Sequence, residues 1–165
     1  LVRWGGVINA NKMIRNVLNR DIGIAKGIYN PFTFKHLVQD HGDWDFKNTG
    51  GKTIFGLAEE LQGTSGVTKF QFGSLSMSAE DFGNFHYGVV GKATNLFSET
   101  TLLFQAGVAQ IKQGTSNPAW IIPGPAIGDM HGGGARVLLP PYGDDPADQK
   151  MIQNGFGYYD SQKRN

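Results

Sequence analysis

The sequence predicts an α+β fold, a predominantly helical single domain with a small β-sheet or hairpin. Three observations lead there. Helix-capping residues stand directly before apolar stretches at Asn30-Pro31, Ser78, Ser98 and Asp145-Pro146. Val67-Thr68-Lys69-Phe70-Gln71-Phe72 alternates polar and apolar side chains with the period of a half-buried strand. A length of 165 residues, 39% of them apolar, suits one hydrophobic core.

The first helix is expected over Val7 to Lys26. Ile8, Met13, Ile14, Val17, Leu18 and Ile22 fall near one face, and Lys12, Arg15, Asn16 and Asn19 on the other. Asn30 as N-cap and Pro31 at the first helical position start a second helix, with Phe34, Leu37 and Val38 inward, which stops at His41-Gly42. Asp43-Trp44-Asp45-Phe46-Lys47 alternates charged and aromatic residues, as a short strand or an extended segment beside a cleft would. Asn48 to Gly51 is a turn, and Thr53 to Leu61 reads as a short helix.

Ser78, with Asp81 three residues on, makes a capping box for a helix carrying Phe82, Phe85, Val89, Val90 and Ala93 inside. Gly83, Gly88 and Gly91 are interleaved there, so that another backbone or a ligand can come close, and the Trp44–Lys47 segment is the expected neighbour. Ser98 caps a helix from about Glu99 to Gln113, ended by Gly114, and the Ser78 and Ser98 helices are expected to form the core pair. Thr115 to Gly143 holds five of the seven prolines, which predicts a long loop with a short strand at Val137-Leu138-Leu139. Pro146 opens a last helix to about Tyr159. Residues 1–6 and 160–165 are expected to fray, and no domain boundary interrupts 1–165.

Composition excludes several classes of function. Without cysteine there is no disulfide, thiolate metal site or cysteine nucleophile. A net charge of +1 gives no global attraction to nucleic acid or an anionic membrane, although a local basic patch is compatible with it. No apolar run approaches the ~20 residues that span a bilayer. The first residues have neither an initiating Met nor a signal-peptide layout, which suggests a piece of a longer polypeptide. The four histidines match no zinc spacing, and neither phosphate-loop motif nor nucleophile elbow is present, so no cofactor and no metal site is expected.

The densest polar stretch is Glu80 to Gly88. Asp81 serves a helix cap and, as an acid at a helix N-terminus, suits holding a cation better than donating a proton. His86 is a candidate general base, because an unperturbed imidazole titrates near working pH. Asp43, Asp45 and Lys47 would share one side of an extended segment, with Trp44 on the other. Asp144 and Asp148 flank the Asp145 cap of the last helix. Asp129 and His131 precede the run Gly132-Gly133-Gly134 in the long loop.

Four ordered elements resemble a known family. They are Trp44-Asp45-Phe46-Lys47, Asp81-Phe82-Gly83-Asn84-Phe85-His86-Tyr87-Gly88, Ala106-Gly107-Val108-Ala109-Gln110 and Gly143-Asp144-Asp145-Pro146-Ala147-Asp148-Gln149. Over about positions 31 to 160 the chain resembles the bacterial polymorphic toxin type 44 domains, C-terminal toxin domains of Rhs-like and related secreted proteins. Phe46 stands where that pattern has Tyr, and the stretch 48 to 77 is longer than expected. The resemblance implies an effector secreted or injected into a competing bacterial cell, part of a larger secreted polypeptide, and blocked by a cognate immunity protein. It also raises Asp81, Asn84 and Tyr87 above His86, which occupies an unspecified position of the motif.

The resemblance leaves the reaction open, and hydrolysis is the leading expectation. As a ribonuclease, the domain would use His86 or Asp45 as base, Lys47 as cation and Asp81 as orienting acid, with Asn84 and Tyr87 in the same catalytic group. Trp44, Asp144 and Asp148 would contact substrate. Lys12, Arg15, Arg20, Lys47 and Lys92 would supply local positive charge, and a magnesium-dependent variant would use Asp45, Asp81 and Asp144. The alternative is a peptidoglycan glycan hydrolase with Asp45 and Asp81 as paired carboxylates. A second alternative is a non-catalytic delivery or binding module.

Overall fold

The computed structural model describes residues 7–46, 69–126 and 136–165. Lys47, the turn at 48–51, the helix expected over Thr53 to Leu61, Asp129, His131 and the triple glycine lie outside the described residues. The described part is α+β and mostly helical, with a three-stranded and a two-stranded sheet. It divides into two compact units, Leu1–Phe97 with Met151–Asn165, and Ser98–Lys150.

In the first unit, Val7–Asn9 is a strand (β1) rather than the start of the helix, because it pairs in parallel with β2 (Lys69–Phe72) through Val7↔Lys69, Ile8↔Phe70 and Asn9↔Gln71. Helix α1 therefore begins at Asn11 and runs to Lys26. β2 turns at Gly73, at positive φ, into the antiparallel β3 (Leu75–Met77). Asn11 Oδ1 accepts the Gly73 N–H at 2.7 Å, tying this turn to the start of α1.

Helix α2 (Pro31–Val38) has the expected Asn30 cap, whose Oδ1 accepts the Phe32 N–H at 2.8 Å. Residues 41–46 form consecutive turns, not the strand or extended segment expected there. Their backbone groups bond locally: Gly42 N–H to Gln39 O, Trp44 N–H to Leu37 O and Asp45 N–H to Gly42 O. With those donors satisfied, a sheet partner is not needed. The turns swing Trp44 and Phe46 into the core, where each is 6% exposed.

Helix α3 (Ala79–Ala93) carries the complete Ser78/Asp81 capping box. It buries Phe82, Phe85, Val89, Val90 and Ala93 as the apolar spacing predicts. It packs against α1, and the Ser98 helix, expected as its core partner, belongs to the other unit. Helix α5 (Pro146–Lys163) extends from the second unit into the first, where Ile152, Phe156 and Tyr159 are buried. A Cβ on Gly88 would collide with the Ile152 carbonyl oxygen, and a Cβ on Gly155 would stand 3.1 Å from the Gly88 Cα. The α3 glycine thus admits the backbone of α5, a different neighbour from the Trp44 segment expected in that role.

The second unit holds α4 (Glu99–Lys112), capped by Ser98 and closed by Gly114 at positive φ. The stretch expected to be loop contains a 3-10 turn (Pro118–Trp120) and β4 (Ile122–Ala126), paired antiparallel with β5 (Arg136–Leu139). Two prolines hide β4 from a reading by strand propensity. They fit because a two-stranded ribbon has an open edge that needs no N–H donors. Asp145 Oδ1 accepts the Ala147 N–H at 2.8 Å and caps α5 as expected.

Candidate active site

The buried stripe of α1 is Ile14, Leu18, Asp21 and Ala25, the i, i+4, i+7, i+11 pattern of an inward helix face with one acid in it. An isolated carboxylate there would carry a large desolvation cost. Two partners meet it. His86, on the inward face of α3, places Nε2 2.8 Å from Asp21 Oδ2. Arg20 donates from Nε to Asp21 Oδ1 at 2.8 Å and from Nη2 to Oδ2 at 3.3 Å. The His86 and Asp21 side chains are each 1% exposed and that of Arg20 is 61% exposed, so the cluster runs from core to solvent.

Rings surround the imidazole. Phe46 meets it edge to face at 4.5 Å between centroids, Trp44 does so at 5.5 Å, and Phe82 lies at 5.9 Å. Burial is the largest influence on His86 and pushes its pKa below the ordinary 6.5, and the Asp21 bond opposes this incompletely. Burial also works against the Asp21 charge, but hydrogen bonds from His86 and Arg20 outweigh it and hold the carboxyl below its ordinary 3.8. The Asp21 hydrogen bond raises the Arg20 guanidinium. At neutral pH the cluster is therefore Arg20⁺, Asp21⁻ and neutral His86. A carboxylate only accepts, so Nε2 carries the imidazole proton. Nδ1 finds no hydrogen-bond partner among the described residues.

An open cleft of about 500 Å³ lies over this cluster, lined by Arg20, Asp21, Ile24, Leu37, Asp43 and Trp44. Its lining combines the exposed Arg20 guanidinium and Asp43 with the buried Asp21 carboxylate, the largely buried Trp44 indole and two aliphatic side chains. Asp21 occupies the Nε hydrogen and one Nη2 hydrogen of Arg20, and Nη1 carries two further donors at the exposed end.

The residues singled out in the sequence are distributed unevenly. His86 and Trp44 belong to the cluster and cleft. Asp45 is buried next to Trp44, where its Oδ2 accepts the His41 N–H at 2.8 Å and closes the turn after α2. Asp81 accepts the Ser78 N–H at 2.9 Å and lies 3.8 Å from Lys69. Asn84 is half-buried on α3, and Tyr87 has its ring 6.0 Å from that of Phe34. Asp144 and Asp148 belong to the second unit, where the buried Asp144 accepts from Gln149 Nε2 at 2.7 Å. Lys92 points to Asp160 at 2.6 Å instead of joining the other cations of the expected basic cluster.

Sequence reasoning misses Asp21 as a candidate and gives Arg20 only a place in a basic patch. The available signal is an acid in register with Ile14, Leu18 and Ala25. A charged residue on an apolar helix face announces a buried partner.

The family model of bacterial toxin 44 matches residues 33–161, more than half of the chain. His86, Asp43 and Trp44 fall inside the matched span, while Arg20 and Asp21 precede it. No curated protein and no solved structure matches the chain. Among the described residues no helix is long and apolar enough to cross a membrane, and no group of three or more His, Cys, Asp and Glu side chains is placed to hold a metal ion.

Proposed function

The chain belongs to the bacterial toxin 44 family, and we propose that this toxin domain is a hydrolase, a ribonuclease that acts in the cytoplasm of a competing bacterium and is neutralised in its producer by a cognate immunity protein. The observation that carries the reading is the Arg20 guanidinium, fixed by Asp21 at the edge of the cleft with its Nη1 donors at the exposed end. A preoriented guanidinium suits the nonbridging oxygens of a phosphodiester. It would also stabilise the charge that builds on them during attack.

In this mechanism the Asp43 carboxylate accepts the proton of a ribose 2′-hydroxyl. The 2′-oxygen forms a bond to phosphorus, the bond from phosphorus to the 5′-oxygen breaks, and the departing oxygen takes a proton from water. The products are a 2′,3′-cyclic phosphate and a free 5′-hydroxyl. Trp44, largely buried, forms part of the cleft wall beside the adjoining base. His86 is too buried to reach substrate and acts through Asp21. Asp45 and Asp81 serve the turn and the helix cap that support the cleft.

The test is expression of the domain in a susceptible bacterium, with and without a periplasmic signal. Cytoplasmic toxicity with degraded RNA is expected. Arg20→Ala should lower kcat/KM on RNA by about 100-fold, as removal of one donor to developing charge does. Toxicity confined to the periplasm, with lysis, overturns the reading. It would favour a glycan hydrolase, for which the specific observation is that two carboxylates, Asp21 and Asp43, line one cleft beside Trp44.

A further inference from the structure

Helix α1 has a one-sided charge distribution. Its cations, Lys12, Arg15, Arg20 and Lys26, are all exposed, and its only acid, Asp21, is buried. With about 100° of rotation per residue, Lys12, Arg15, Asn19 and Lys26 fall within an arc of about 60°, and Arg20 lies about 80° round the helix from Lys12, on the side that lines the cleft. Lys12, Arg15 and Lys26 make no ion pair among the described residues. Of the acids in the same unit, Asp160 pairs with Lys92, and Asp81 with its capping box and Lys69. An exposed row of cations with no ion pair among the described residues suits a polyanion.

We propose that the solvent face of α1 is a track for single-stranded RNA, which holds the phosphates flanking the nucleotide that enters the cleft at Arg20. The substrate is then a polynucleotide, not a dinucleotide. At about 1.5 Å per residue the run from Lys12 to Lys26 is about 21 Å long. That is on the order of six phosphates of a stacked strand at about 3.4 Å each. The track gives a chain of net charge +1 a local excess of positive charge: α1 carries four of the fifteen basic residues and one acid, which is buried. The identity of the polyanion rests on the ribonuclease reading, but the existence of the track does not.

The test uses a fluorescent 20-nucleotide 2′-deoxy strand, which lacks the attacking hydroxyl and so reports binding without cleavage. Wild type and the Lys12→Ala/Arg15→Ala variant are titrated by anisotropy at several salt concentrations. The variant is expected to bind at least 10-fold more weakly. Its slope of log K against log salt should be shallower by about 1.4, the value for two lost single-strand phosphate contacts. On RNA, the variant should raise KM for a 20-nucleotide substrate and leave cleavage of a trinucleotide unchanged. Equal binding by the two proteins overturns the proposal. So does wild type that ignores the strand, including the case in which it binds only vesicles of anionic lipid. Strand binding by wild type without RNA cleavage would sink the ribonuclease reading and leave the track standing.

Discussion

Asp21 carries two kinds of information, one about stability and one about chemistry. Its carboxylate is fully buried and stays charged because Arg20 and His86 both donate to it. Removing the imidazole leaves a charged acceptor short of a donor and opens a cavity among Trp44, Phe46 and Phe82. His86→Ala is therefore expected to cost about 3 kcal/mol. Titration gives a second readout. The folded-state pKa of His86 lies below its ordinary 6.5, so as pH falls through 6.5 the unfolded chain takes up a proton that the folded one does not. Stability then decreases with falling pH in that window. Asp21, also lowered, adds a loss in the same direction at more acid pH. Thermal melts from pH 8 to 5 should show a midpoint that drops below about pH 6.5. In His86→Gln, which cannot titrate, that part of the drop should vanish, and an unchanged profile would contradict the neutral imidazole. The pairing is only half legible in the sequence. An acid in an apolar stripe can be read there, but its partner is 65 positions away and no local pattern links the two.

Local signals at the helix ends are legible because they act over three or four residues. Asn30, Ser78, Ser98 and Asp145 all make the side-chain to backbone bonds that their positions imply. What the sequence does not disclose is which helix each helix meets. Glycines mark a close approach on α3 without naming the partner, and that partner is α5, at the other end of the chain. The Trp44 segment likewise has the right inward residues and the wrong expected backbone, since alternation over five positions fits tight turns as well as a strand. The crossing of α3 and α5 separates glycines by their surroundings. Gly88→Ala should destabilise by more than about 2 kcal/mol, because its Cβ would meet the rigid backbone of Ile152. Gly83, earlier on the same helix, has no neighbouring atom among the described residues within 4 Å of where a Cβ would stand. Gly83→Ala should therefore stabilise by about 0.4 to 1 kcal/mol through the unfolded chain. Chemical denaturation of the two variants checks both signs. Equal effects would mean that the helices do not cross at Gly88.

At the scale of the whole molecule, the first unit is discontinuous in sequence, and its core depends on the end of the chain. Ile152, Phe156 and Tyr159 are 0%, 3% and 5% exposed within it, and Tyr158 stacks near Phe72 and Phe85. Burying three large apolar side chains is worth about 1.5 to 3 kcal/mol each. Their sum reaches the order of the 5 to 15 kcal/mol that holds a typical domain together. The cleft needs α1 and α3 fixed, and α3 is backed by α5 through Gly88. A chain ending after Asp145 should therefore lose its cooperative melt, along with the sharp pH dependence of the His86–Asp21 pair and any toxicity. A chain ending after Asp160 loses only exposed residues and keeps the Lys92–Asp160 pair, so its melting midpoint should stay within about 2 °C of the full chain. Circular dichroism melts of the two truncations decide the matter. A cooperative melt without α5 would mean that α1, α3 and the first sheet hold the site unaided.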